Sequence, residues 1–104
     1  MAEVIWSEPA LADLDAIADY IALENPDAAT RLVQHIFKHL DQLQDHPESG
    51  PRLQDLKGSR YRQIVEPPCR IIYRHDKTAS ILFILHVLRS EQKLRRSSLF
   101  RGPK

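Results

Sequence analysis

Arginine and histidine supply most of the chemistry this chain could do. Arg60, Arg62, Arg70, Arg74 and Arg89 stand around three strand-length runs between Tyr61 and Arg89, several of them at the ends of those runs. Guanidinium groups stay protonated at any ordinary pH, so the set presents fixed positive charge and hydrogen-bond donors. His86 is the one polar side chain in the run Ile81 to Leu88, and the only group there that titrates near neutrality. His35 and His39 stand four apart, a spacing that can chelate a metal on a helix. Between them lie Ile36, Phe37 and Lys38, without the glutamate of a zinc-protease helix, and His46 is the only further candidate on that side. The pair reads as a solvated helix face, and no metal or other cofactor is expected. Asp13, Asp15 and Asp19 also read as a solvated face, since the sequence supplies them with neither nucleophile nor metal partner. The single cysteine, Cys69, excludes an intramolecular disulfide framework, fits a reducing cytoplasm, and reads as a small core residue.

The formal net charge of +1 conceals a sharp division. Residues 1–50 carry two basic side chains, Arg31 and Lys38, against ten acidic ones, whereas residues 51–104 carry thirteen basic against four acidic. Such a split describes a two-faced molecule whose basic half meets something anionic, or else two halves that neutralise each other across the fold. The 104 residues make one domain, 1–104, large enough to bury a core without metal or disulfide staples. No apolar run is long enough to cross a membrane, and Ile5 and Trp6 pass at once into Ser-Glu-Pro, so neither a span nor a leader is expected and the protein reads as cytoplasmic.

The elements that must position these groups follow from periodicity. Glu3 to Trp6 is a short strand candidate, and Ser7 is placed to cap a helix with Glu8 and Pro9 in its first turn. Leu11, Leu14, Ile17, Ala18 and Ile21 recur at helical spacing to about residue 23. Asn25 and Pro26 end that helix and open a second, whose stripe runs through Ala29, Leu32, Val33, Ile36, Phe37, Leu40 and Leu43. So short a connection makes the two helices an antiparallel hairpin. His46 to Pro51 is a loop, and Arg52 to Ser59 reads as a turn into the first of three strands. The break at Pro67-Pro68 and another at Asp76-Lys77-Thr78 make those strands an antiparallel meander. Ile81 to Leu88, apolar almost throughout, reads as a central strand covered on both faces. The segment from Ser90 through Lys93, Arg95 and Arg96 reads as a short basic helix or tail.

Several residue groups in this order resemble the RelE/ParE superfamily of bacterial toxin components. They are the Asp-Leu helix with Tyr20-Ile21, Asn25-Pro26 with Ala28-Ala29, Leu43 followed by Pro47 and Gly50, Tyr61-Arg62, Arg70-Ile71-Ile72-Tyr73-Arg74, and Ile84 to Arg89. The resemblance implies an α+β fold of order β-α-α-β-β-β-α: an antiparallel sheet of about four strands, with Val4 to Trp6 beside the Ile81 to Leu88 strand. The helical hairpin would lie across one face, leaving the other face and a short C-terminal helix for a cognate antitoxin. It also implies a toxin of a type II toxin–antitoxin pair, held in a hetero-oligomer by that antitoxin.

Two mechanisms follow from the resemblance. RelE-like members cleave messenger RNA in the ribosome, which requires a base, a leaving-group acid and cations for the charged phosphorane. The matching residues would be Arg70 and Arg89 as phosphate clamps, Arg60 or Arg62 as auxiliary cations, and His86 as the proton carrier, though His86 also reads as a hydrogen-bonded core residue. Such enzymes usually carry a tyrosine near the C-terminus, and this chain has none after Tyr73. ParE-like members trap DNA gyrase with its DNA cleaved, an inhibition by binding that asks no chemistry of the toxin. The present sequence looks closer to these. Arg60, Arg62, Arg70, Arg74, Arg89, Lys93, Arg95 and Arg96 would then meet the target, its nucleic acid, or the antitoxin.

Overall fold

A computed structural model describes residues 2–92. The order is β1 (Glu3–Trp6), α1 (Glu8–Ala22), α2 (Pro26–Asp45), β2 (Arg62–Glu66), β3 (Cys69–Asp76) and β4 (Ile81–Arg89). Both helices start where their capping residues stand. Ser7 Oγ accepts the Ala10 N–H at 3.1 Å, and Asn25 Oδ1 accepts that of Ala28 at 3.0 Å, each satisfying a donor that the first helical turn leaves unpaired. Ser7 Oγ also donates to the Leu85 carbonyl, which ties the start of α1 to β4. The expected C-terminal helix, with Lys93, Arg95 and Arg96, lies outside the described residues.

The four strands form one sheet in the order β1-β4-β3-β2. Strands β2, β3 and β4 make the antiparallel meander, and β1 lies beside β4 as expected, but it runs parallel to it, so the sheet is mixed rather than wholly antiparallel. Connectivity is the reason. The helical hairpin and residues 46–61 return the chain so that β2 runs in the direction of β1, and two reversals then give β4 that same direction.

The core lies between the sheet and the helical hairpin, where Leu14, Ile17, Leu32, Ile36, Leu40 and Leu43 pack with Ile64, Ile71, Tyr73, Leu82, Ile84 and Val87. Full burial of each large aliphatic side chain contributes about 1.5–3 kcal/mol. Phe37, part of the predicted stripe, is instead 46% exposed and lies tilted against Trp6, with ring centroids 5.6 Å apart.

Strand β4 is internal, yet only Leu82, Ile84 and Val87 are buried, while Ile81, Phe83, Leu85 and Leu88 are half-buried. The register shift opposite Ile72 and Tyr73 leaves Leu85 without a partner, and this extra residue moves the inward positions from even to odd numbers. A continuous apolar run can therefore be two alternating patterns joined at a bulge. The strand covered on both faces is β3, buried from Cys69 to Tyr73. Its second cover is the segment before β2: Leu53 and Leu56 close over Ile72, with Tyr61 and Leu88 alongside. That segment is more than the turn expected from sequence, and part of the sheet face expected to be open is occupied.

Tyr73 and Cys69 are fully buried on β3. Burial pushes both the phenol and the thiol above their ordinary values of 10.0 and 9.0. A raised folded-state value means that stability is full below the unfolded value and is lost as pH rises through the folded one. Chemical denaturation from pH 7 to 11 should therefore show stability falling from about pH 9 upward. The fall should be shallower in Tyr73→Phe and in Cys69→Ala.

Candidate functional site

The structure distributes the five arginines over three places. Arg70, opposite Val65 and Leu88 in the sheet, is 7% exposed. Its two terminal nitrogens donate to both oxygens of Asp55, at 3.0 and 2.6 Å, and Nη1 also donates to Gln63 Oε1 at 2.9 Å. Nη2 further donates to the Gln92 carbonyl, while Nε is buried without a partner among the described residues. A bidentate carboxylate on a guanidinium fork is among the strong charge-assisted arrangements. The groove above Arg70 also holds Lys57 and Glu91, so its charges balance. Arg70 is thus a paired internal cation and is not presented to solvent as a phosphate clamp would be. The partner that pairs it, Asp55, had no sequence signal beyond being one of only four acids in the basic half.

His86 and Arg89 lie where α1 crosses the open edge of β4. Strand β1 ends at Trp6, opposite Ile84, so the following backbone of β4 lacks a strand neighbour on that side. Asp13 takes that place: its Oδ2 accepts the Val87 N–H at 3.0 Å and meets His86 Nδ1 at 3.1 Å. His86 is accordingly a half-buried, hydrogen-bonded residue held by a helix carboxylate. Asp13 is no solvated-face residue. It joins two parts of the chain 73 positions apart, which no local pattern could reveal. The guanidinium of Arg89 sits 4.6 Å from the centre of the exposed Tyr20 ring, over a groove between α1 and β4.

Arg60, Arg62 and Arg74 gather in a third place. Arg74 follows Arg70 by four residues, about 13 Å along the strand, and its guanidinium lies 4.7 Å over Phe83. Arg62 donates to the carbonyls of Glu48 and Gly50 at 3.1 and 2.8 Å, and Arg60 is exposed. The two helix histidines do not act together: His39 pairs with Glu66 at 3.0 Å and His35 is exposed. Among the described residues no group of three or more histidine, cysteine or acidic side chains is placed to hold a metal ion. Nor is any helix there long and apolar enough to cross a membrane.

Two helices packed on a four-stranded mixed sheet make the α+β architecture of the RelE/ParE toxins. The family model described as the ParE toxin of the type II toxin–antitoxin system parDE matches residues 4–94, and the chain belongs to that family. Toxin RelE2 of Caulobacter vibrioides is 37% identical over 91 residues, covering 86% of this chain and 99% of that protein. The protein Y4kP of Sinorhizobium fredii is 37% identical over 81 residues, 78% of this chain and 83% of its own. Among solved structures, a chain of the chromosomal ParDE toxin–antitoxin system from P. aeruginosa superimposes with a TM-score of 0.70 at 26% identity, covering 88% of this chain and 98% of that one.

Proposed function

We propose that this toxin arrests growth as a ParE-like binding inhibitor of DNA gyrase and that a cognate antitoxin neutralises it. One observation carries the choice of mechanism: two of the groups that RNA cleavage would ask for are already engaged within the chain. Arg70 is held by Asp55 and Gln63, and His86 by Asp13. Strand scission by an adjacent 2′-hydroxyl needs a proton carrier and a cation for the developing charge, and both must face the RNA. The lack of any tyrosine after Tyr73 supports the same reading. An inhibitor that only binds needs surface and charge: Arg89 offers both on its groove, and the sequence adds the charges of Lys93, Arg95 and Arg96, for gyrase or an acidic antitoxin to meet.

The second reading is ribosome-dependent cleavage of messenger RNA, favoured by the name of the Caulobacter relative, RelE2. Inducing the chain alone in a bacterial host separates the two. Continued incorporation of pulse-labelled amino acids, with gyrase-linked DNA breaks and a DNA-damage response, is the expected result. An early fall in translation with messenger RNA cut at codons on the ribosome would overturn it and make Arg70, His86 and Arg89 the catalytic candidates.

A further inference from the structure

One end of the sheet concentrates cations that neither the core nor the Arg70 groove uses. Arg52, Arg60, Arg62, Arg74, His75 and Lys77 line a cleft between the start of β2, the end of β3 and the loop at Glu48. Two carboxylates share it. Glu48 meets Lys77 Nζ at 3.2 Å and His75 Nδ1 at 3.3 Å, and these bonds hold its carboxyl below the ordinary range. Asp76 spends one oxygen on the Ala79 N–H at 3.0 Å. The charge of Arg62 also helps lower Glu48, but the arginines form no such close ion pairs. Among the described residues Arg52 donates to the Ser59 carbonyl, Arg62 to two carbonyls, and Arg74 lies over a ring, so none of the four meets a carboxylate.

This arrangement works against the fold that holds it. Arg52 and Arg62 are direct partners in an isolated antiparallel bridge, and like charges opposite one another destabilise a strand pair. An anion between them would turn that repulsion into attraction. The lining carries no apolar side chain, and the Thr78 hydroxyl adds to its donors. Protein and peptide partners rest on buried apolar or aromatic anchors, whereas phosphate contacts come from arginine, lysine and hydroxyl groups.

We propose that this cleft binds the phosphodiester backbone of a nucleic acid strand, with Arg52, Arg60, Arg62 and Arg74 as its phosphate contacts. The site is separate from the Arg70 groove and stands whether the target is gyrase or the ribosome, because it concerns direct contact with a strand. It would read charge and backbone shape, not sequence.

The test is fluorescence anisotropy of the full chain with a labelled 20-base-pair DNA duplex and, separately, a 20-nucleotide RNA, from 50 to 200 mM salt. Binding to at least one is expected, with the log of affinity falling linearly with the log of salt. Arg60→Gln/Arg74→Gln should weaken it at least ~10-fold at the lower salt and reduce the slope by about two. Arg60→Gln alone, at an exposed residue, should reduce the slope by about one without changing the melting temperature. The stronger arm identifies the kind of strand. Absence of binding at 50 mM salt, or slopes unchanged in both variants, would overturn the proposal. So would polyglutamate of equal charge competing as well as the strand, since the cleft would then be an acidic-peptide site.

Discussion

Gly50→Ala is expected to lower stability by about 2–4 kcal/mol, a fall in Tm of roughly 10–20 °C for a domain of this size. Gly50 is buried where the loop after α2 passes over β2 and β3. A β-carbon there would overlap the Gln63 carbonyl oxygen and stand 2.7 Å from the Tyr73 hydroxyl. Neither neighbour can give way. The carbonyl belongs to a sheet strand, and the hydroxyl is fixed by donating to the Pro47 carbonyl at 2.8 Å while accepting the Gly50 N–H at 3.1 Å. Urea denaturation should show a lower midpoint with an unchanged slope. Tyr73→Phe removes one of the two clashing atoms, so the double variant should lose less than the two single losses together. Full additivity would mean that the tyrosine is not what excludes the side chain.

Ser7, Asn25, Pro26 and the two apolar stripes announce both helices because capping and periodicity are local, and the observed bounds follow from them within a residue or so. The meander is legible for the same reason, from its strand residues and two breaks. Strand direction is not local. Whether β1 runs with or against β4 depends on how the intervening 70 or so residues return, and nothing in Glu3 to Trp6 records it. The bulge at Leu85 was hidden because both registers of that strand are apolar.

The candidate site was legible only as an inventory. Arg70, Arg89 and His86 could be named from sequence, yet of the two acids that decide what Arg70 and His86 can do, Asp13 reads as a solvated-face residue and Asp55 carries no signal of its own. An arginine 15 positions from its carboxylate and a histidine 73 positions from its own are joined by the fold alone. Charge segregation between the halves was a fair guide to a basic surface. It did not show that Arg70 is internally neutralised, nor that Arg52, absent from the set singled out in sequence, joins Arg60, Arg62 and Arg74 in one cleft.

Asp55→Ala tests the reading of Arg70 most directly, with an expected loss of about 2–4 kcal/mol. Removing one member of a buried ion pair costs about 3–5 kcal/mol when the remaining charge has no other partner. Here Gln63 and the Gln92 carbonyl still accept from the guanidinium, which brings the figure down. Asp55→Asn should lose less, since it keeps an acceptor in the same shape. The double variant Asp55→Ala/Arg70→Met should recover most of the loss, because an apolar pair leaves no buried charge behind. That double variant also separates structure from chemistry. If Arg70 serves the fold alone, the refolded Met variant still arrests growth and still forms a complex with its antitoxin. If Arg70 instead clamps a phosphate during cleavage, stability returns and growth arrest does not, and the binding-inhibitor reading falls with it.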